Sequence, residues 1–299
     1  MFRPSLAVCI PLAFAISLSS AADNRPSPAN LSAADIVDKN VAARGGLNAW
    51  RAVQTMSLAG KLGAGGNRRD TLAVPDSGKP PAGKKMGRLP VPRPEEEVQL
   101  PFLMELQRPH KMRFELQFNG QTAIQVFDGV NGWKLRPFLN RRVVEPYTED
   151  EMKTTATQAD LDGPLVDYAA KGTRIELAGM EKVEDRDTYK IKMTMKSGQV
   201  MHVWIDAETF LETKIEGQPR RLDGTDHPVE VYFRDYRRVG GLQIPFILET
   251  KVLPVAKTVT GFKDTPVPAE RIIVEKVLVN PKLDASLFSK PQVEIASGR

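Results

Sequence analysis

The sequence predicts a mainly β (α+β) protein built on one highly curved antiparallel sheet of about ten or eleven strands. Two observations carry this. Apolar and polar residues alternate at a period of two through most of the chain, and the alternating runs are joined by tight turn pairs such as Asn119-Gly120, Ser197-Gly198 and Gly240-Gly241. A third, the confinement of helical signals to the start and the middle of the chain, leaves the sheet to bury one face on itself and on those helices. Alternation alone does not decide whether such a sheet closes into a barrel.

The chain begins with a segment of different character. From Met1 to about Ala22 it carries one charge (Arg3), an apolar core from Leu6 to Leu18 and small residues at the end, the pattern of a cleavable signal peptide. That core is too short to span a bilayer, and no later segment approaches the roughly 18 apolar residues a spanning helix needs. Cys9, the only cysteine, lies inside the leader and follows Val8, a poor context for lipidation. The exported chain therefore has no thiol. Disulfides, iron-sulfur clusters, zinc-thiolate sites and cysteine nucleophiles are excluded together. A soluble periplasmic product is the expectation.

The expected layout is a signal peptide over 1–22, a linker over 23–30, one β domain over 31–291 and a short tail over 292–299. With 41% hydrophobic residues the chain can bury a core. Lys plus Arg is 42 against 37 for Asp plus Glu, a formal +5. The excess is mild, and no Lys/Arg run is interleaved with stacking aromatics, which argues against nucleic acid as a partner.

After the Pro-bearing linker, Ser32 and Asp35 form a weaker version of a capping box, with Ile36, Val37, Val41 and Leu47 as an apolar stripe. Gly45-Gly46 marks the helix end or a break before Trp50. A first strand follows over Thr55 to Leu62. From Gly63 to about Glu97 the pattern gives way to Gly, Pro and basic residues, an insertion into the domain. Val98 to Leu106, Met112 to Phe118, Gln121 to Phe127 and Trp133 to Arg136 then read as strands in meander order. Thr148 caps a helix to Ala159, and Gly163-Pro164 is expected to open a second short one through Tyr168. The rest reads as strands again, ending with Arg271 to Val279.

Strand phase places several apolar side chains on common faces: Met104 and Leu106, then Met112, Phe114 and Leu116, and later Ile191, Met193 and Met195, with Met201 beyond the turn. These nine are the candidate lining of an apolar, lipid-binding cavity, because methionine is flexible and repacks around ligands of varied shape. Ordinary core packing is the competing reading of the same residues. Catalysis finds less support. His110, His202 and His227 share no ligand spacing, and Asp160-Leu161-Asp162-Gly163 lacks the later ligands of a calcium loop, so helix capping explains it better. Asp160, Asp162, Asp167, Asp206 and Glu208 are carboxylates of the type a glycosidase uses, but type alone does not make a pair. No GxSxG, Walker or GxGxxG element is present, so no catalytic residue, metal site or cofactor is expected.

Ordered phrases along the chain carry a resemblance. They include Leu47-Asn48-Ala49-Trp50-Arg51, Arg108-Pro109-His110-Lys111-Met112-Arg113, Phe127-Asp128-Gly129-Val130-Asn131-Gly132-Trp133 and Asp160-Leu161-Asp162-Gly163-Pro164-Leu165-Val166-Asp167-Tyr168. Downstream come Trp204-Ile205-Asp206-Ala207-Glu208-Thr209 and Val239-Gly240-Gly241-Leu242-Gln243-Ile244-Pro245. Together these resemble the outer-membrane lipoprotein-sorting proteins, relatives of the periplasmic carrier LolA. The resemblance implies an unclosed β-barrel with a helical lid, a cavity for lipid or lipoprotein acyl chains, and transient contact with inner- or outer-membrane proteins. No lid-locking arginine or receptor-docking loop of that family is matched to a position here. An envelope-stress sensor or interaction module would share the fold, and an extracytoplasmic hydrolase is the remaining alternative.

Overall fold

The chain enters its sheet at the middle and not at an edge. The computed structural model describes residues 31–64, 98–137, 141–222, 225–255 and 269–292. The expected signal peptide and linker, nearly all of the Gly/Pro/basic insertion and almost the whole tail lie outside the described residues. Contacts divide the chain into two units, Met1–Leu31 and Ser32–Arg299, and the sheet with its helices belongs to the second.

Ser32 accepts from the Asp35 amide at 3.2 Å, and the Asp35 carboxylate accepts from the Ser32 amide at 3.0 Å. That reciprocal box starts α1 (Ala33–Ala43), which buries Ile36, Val37, Asn40 and Val41. Gly45 and Gly46 both have positive φ, so the helix stops and α2 (Leu47–Ala52) begins afresh with Trp50 inward. At Gly45 glycine is required twice over. A Cβ there would sit 2.6 Å from the Gly241 carbonyl oxygen, and the neighbouring Arg44 carbonyl accepts from the Gln243 amide at 3.0 Å.

The strands are β1 (Thr55–Ala64), β2 (Val98–Gln107), β3 (Lys111–Phe118), β4 (Gln121–Phe127), β5 (Gly132–Arg136) and β6 (Arg141–Pro146), followed by α3 (Glu149–Gln158). The second run is β7 (Arg174–Val183), β8 (Arg186–Thr194), β9 (Val200–Asp206), β10 (Glu212–Leu222), β11 (Thr225–Val239), β12 (Leu242–Val252) and β13 (Glu270–Val279). All belong to one 13-stranded sheet of order β6-β5-β4-β3-β2-β1-β13-β12-β11-β10-β9-β8-β7. Every neighbouring pair is antiparallel. The first run therefore walks from the centre to one edge, α3 and the turns after it carry the chain to the other edge, and the second run walks back to pair β13 with β1. Because β6 and β7 remain separate edges, the sheet is an unclosed barrel, as the sequence resemblance implied.

Strand register aligns one apolar face across the whole sheet. Ile191 lies opposite Val203, Val203 opposite Ile215, Ile215 opposite Val231, and Val231 opposite Thr250. On the other half Leu58 lies opposite Met104, and Met104 opposite Phe114. The opposite face is closed locally by a short 3-10 turn at Ala285–Phe288, whose buried Phe288 is fixed where Arg113 donates to the Leu287 carbonyl at 3.0 Å.

Two expectations need correcting. The sheet has thirteen strands, against about ten or eleven expected, and twelve of them coincide with segments that read as strands in the sequence. The strand with no counterpart in the sequence reading is β6, a short edge segment whose Arg142 and Val143 are both exposed and so leave no alternation to detect. The second helix expected from Gly163 to Tyr168 is also absent. Residues 161–172 form a series of turns, because Gly163, Asp167 and Gly172 all take positive φ and interrupt helical hydrogen bonding. No helix among the described residues is long and apolar enough to cross a membrane.

The central seam yields a direct test. At Gly60, beside a bulge in the β1/β13 pairing, an added Cβ would collide with the Ile273 carbonyl oxygen. Gly60→Ala is expected to lower unfolding stability by about 2 kcal/mol or more in chemical denaturation. An unchanged midpoint would contradict the close approach of these two strands.

Candidate functional site

The apolar face of the second half is not filled by the protein. Beneath α3 lies a cavity of about 660 Å³, within the roughly 300–1,000 Å³ typical of ligand sites. Its floor is Met201 and Val203 from β9, Ile215 from β10, Val229, Val231 and Phe233 from β11, and Leu248 from β12. The roof is Thr154, Thr157 and Gln158 of α3 with Leu161, Pro164 and Leu165 of the turns that follow.

The floor and roof differ in chemistry. Alternation puts branched and aromatic side chains on the floor, whereas α3 (EDEMKTTATQ) buries only Thr155. The helix is anchored by charge. Thr148 and Glu151 form its capping box, and the Lys134 ammonium of β5 lies 2.5 Å from both Glu151 carboxylate oxygens. Little apolar area holds this helix to the sheet.

One end of the cavity is closed by buried charge. Arg44, at the end of α1, pairs with Glu212 at 3.2 Å, and both side chains are about one-tenth exposed. The guanidinium stacks over Trp50 at 4.4 Å and donates to the Asp162 carbonyl at 3.1 Å. Tyr236 donates to the Glu212 carbonyl at 3.0 Å, and burial, then the neighbouring Glu212, pushes its hydroxyl well above its ordinary range. The other end, near Gln218, Pro219 and Arg220, forms the rim, where Arg220 holds Glu270 through two bonds of 2.7 and 2.6 Å.

The turns that complete the roof are fixed by an ion network. Asp162, only 2% exposed, accepts from Arg108 at 2.6 Å and from Lys171 at 2.9 Å. Arg108 also donates to the Val53 and Trp50 carbonyls at 2.7 and 3.1 Å. Lys171 reaches both Asp160 oxygens, at 2.9 and 2.7 Å, and the Gly163 carbonyl at 2.6 Å. Farther along, Asp167 takes both arms of Arg51. Burial pushes Asp160 up to about 6, helped by its hydrogen bond with Asp162. Burial acts the same way on Asp162, but bonds from Asp160, Arg108 and Lys171 overcome it and hold that carboxyl far below the usual range. Helix capping, the sequence reading of Asp160-Leu161-Asp162-Gly163, is thus replaced by ion pairing, since no helix starts at Gly163.

The candidate lining residues divide into three groups. Met201 lines the cavity. Ile191 and Met193 face the same way on β8 but are fully buried, and Met195 lies just past the end of that strand, within 3.7 Å of the Thr173 hydroxyl. Met104, Leu106, Met112, Phe114 and Leu116 share the face of the other half, where Leu106 and Met112 are buried and the remaining three half-buried. There Phe114 stacks on Phe102 at 5.9 Å. The sequence reading missed Val229, Val231, Phe233 and Leu248, although their alternation marked them as plainly as the methionines. It also missed Arg44 and Arg108, for which only the fold supplies partners.

The other titratable candidates have local partners. Asp206 accepts from the Glu208 and Thr209 amides and from Arg186. The His202 ring lies 2.9 Å from Glu216, His110 is exposed, and His227 is buried on β11 beside the Leu253 carbonyl.

No protein-family model and no curated protein matches the sequence. Solved structures do match by shape. A LolA superfamily protein from Nitrosomonas europaea superposes with TM-score 0.51 at 12% identity, covering 87% of this chain and 98% of that one. A DUF1329 family protein from Desulfovibrio piger gives 0.50 at 12%, covering 86% and 97%. A putative outer membrane lipoprotein-sorting protein domain from Vibrio parahaemolyticus gives 0.49 at 11%, covering 86% and 95%. With its unclosed 13-stranded antiparallel sheet, the chain has the fold of the LolA superfamily.

Proposed function

We propose that this chain is an exported periplasmic carrier that shields acyl chains of a lipid or lipoprotein in the cavity under α3, in outer-membrane lipoprotein sorting and without catalysing a reaction. The observation that carries this reading is a cavity of about 660 Å³ between an apolar sheet floor and a roof of α3 and the turns after it. Burying a methylene is worth about 0.8 kcal/mol, so a 16-carbon chain represents roughly 12 kcal/mol of unfavourable exposure in water. A carrier must hide that surface and give it back. A roof helix that buries only Thr155 and is tied down by the Lys134–Glu151 pair can do both, because its release leaves the sheet core in place.

Met201, Val203, Ile215, Val229, Val231, Phe233 and Leu248 are the contact surface of this proposal. The apolar groups Met104, Phe114 and Leu116 of the other half extend it, with Leu106, Met112, Ile191, Met193 and Met195 supporting the wall. A resting lid is held at Arg108, Asp162 and Lys171. The Arg44–Glu212 pair seals the inner end. A hydrolase reading is disfavoured by the same network, since Asp160 and Asp162 are engaged by Lys171 and Arg108 and the cavity that Asp160 lines is mostly apolar.

The sign of the pH response follows from the carboxylates. Asp160, raised to about 6 in the folded chain from an ordinary 3.8, contributes stability that is complete below its unfolded value and lost as pH rises through about 6. Asp162, lowered on folding, contributes stability present above its unfolded value and lost in stronger acid.

Asp162→Ala is expected to leave Arg108 and Lys171 without their shared partner and to cost about 3 kcal/mol, with hydrogen exchange accelerated first in residues 161–172. Uniform exchange across the chain would contradict a local latch. Asp160→Asn should remove the gain in unfolding midpoint that the parent shows between pH 7 and pH 5. Equal pH profiles for the two would contradict the raised Asp160. For the carrier reading itself, Val231→Asp is expected to reduce uptake of a fluorescent 16-carbon fatty acid at least tenfold while leaving the circular dichroism spectrum unchanged. Parent protein that takes up no acyl probe would end this reading.

A further inference from the structure

Beyond the carrier reading, we infer that the outer edge of β7 docks an extended segment of another protein, one that alternates apolar residues with Lys or Arg and joins the sheet as a further strand. β7 is the last strand of the sheet and, among the described residues, pairs only with β8. Its other side presents backbone donors and acceptors that a strand can take up.

The register shows what this edge offers. Leu177 lies opposite Ile191 and Met180 opposite Tyr189, and both partners are fully buried. The apolar face that runs from Val231 through Ile215, Val203 and Ile191 thus continues onto β7. It ends there in solvent, with Leu177 41% and Met180 47% exposed although α1 packs against the same strand. Glu176 and Glu181 project from the opposite face. Lys192 and Lys190 hold them at 3.1 and 2.7 Å and leave their side chains 61% and 46% exposed. A strand with apolar residues beside Leu177 and Met180 and cations beside Glu176 and Glu181 satisfies both rows.

The two edges of the sheet are not alike. β6 is six residues long, ends in Pro146 and exposes Arg142, features that keep another strand away. β7 runs for ten residues without a proline. A bulge between Leu177 and Gly179 divides it into two short stretches, which suits a contact that forms and releases.

A second copy of this chain is the poorer occupant. Two copies meeting edge to edge about a two-fold axis pair β7 antiparallel to itself. The register that sets Leu177 against Met180 then sets Glu176 against Glu181 and Ile175 against Lys182. Like charges directly opposite one another destabilise a strand pair. The carboxylates that repel a copy attract a basic strand, so the edge selects its partner by charge.

Hydrogen exchange of the intact chain, with and without a short blocked peptide that alternates Val and Lys, tests this site against a control peptide that alternates Val and Glu. The Val/Lys peptide is expected to slow exchange in residues 174–183 and to bind at least tenfold more tightly than the control. Glu176→Lys should narrow that preference at least threefold. Leu177→Lys, at an exposed position, should weaken the Val/Lys peptide at least tenfold, and Met180→Lys takes its place if that variant fails to fold. Protection mapped away from β7, equal affinity for the two peptides, binding of neither, or unchanged affinity in the folded variants overturns the inference. So does a dimer in analytical ultracentrifugation that Leu177→Lys dissociates, because the edge then belongs to a second copy.

Discussion

The buried carboxylate of Asp162 is the interaction on which the cavity depends. It is the point where the β2–β3 turn, the end of α2 and the turns after α3 converge, because Arg108 and Lys171 both reach it and Arg108 also ties down the Trp50 and Val53 carbonyls. A nearly inaccessible carboxylate flanked by two cations keeps its charge, and both cations lose their best partner if it is removed. Without it the turns of the roof would be held chiefly by the packing of Leu161, Leu165 and Val166. Curvature supplies the concave surface, and this network holds the turns that roof part of it.

The division of labour between floor and roof follows from composition. The floor is built from alternating strands whose inward residues are branched or aromatic, and such residues pack well on a pleated surface. Its geometry is set by ladder hydrogen bonds and does not require the roof. The roof is held by charge at Lys134–Glu151, Arg51–Asp167 and the Asp162 cluster. A rigid apolar surface under a helix attached mainly by separable polar bonds is suited to reversible shielding, while Leu161, Leu165 and Val166 keep the turns after it packed. The chain order produces this arrangement, since the crossing from one sheet edge to the other must pass somewhere, and it passes over the concave face.

Much of this could be read in the sequence, and the failures have physical causes. Period-two alternation located nearly every strand, and Ser32, Thr148, Asn119-Gly120 and Gly240-Gly241 placed caps and turns because their chemistry is local. The edge strand β6 was invisible because both sides of Arg142 and Val143 face solvent. The helix expected after Gly163 failed at positive-φ positions, including Asp167, where a residue type compatible with helix takes another conformation in context. At the site, the choice of methionines found Met201 but passed over Val229, Val231 and Phe233, since phase identifies a face without saying which part is left uncovered. Arg108 and Asp162 are 54 residues apart, and no local pattern announces a pair that only the closed fold brings together.

The central claim is that an acyl chain lies along the β10–β12 floor beneath α3. A crystal structure of the protein with a fatty acid brominated near its methyl end tests it most directly. Anomalous bromine density is predicted between the sheet and the roof, flanked by Val231 and Phe233, with the carboxylate at the Arg220 rim. Bromine density outside this cavity, in a complex of otherwise unchanged fold, would contradict it.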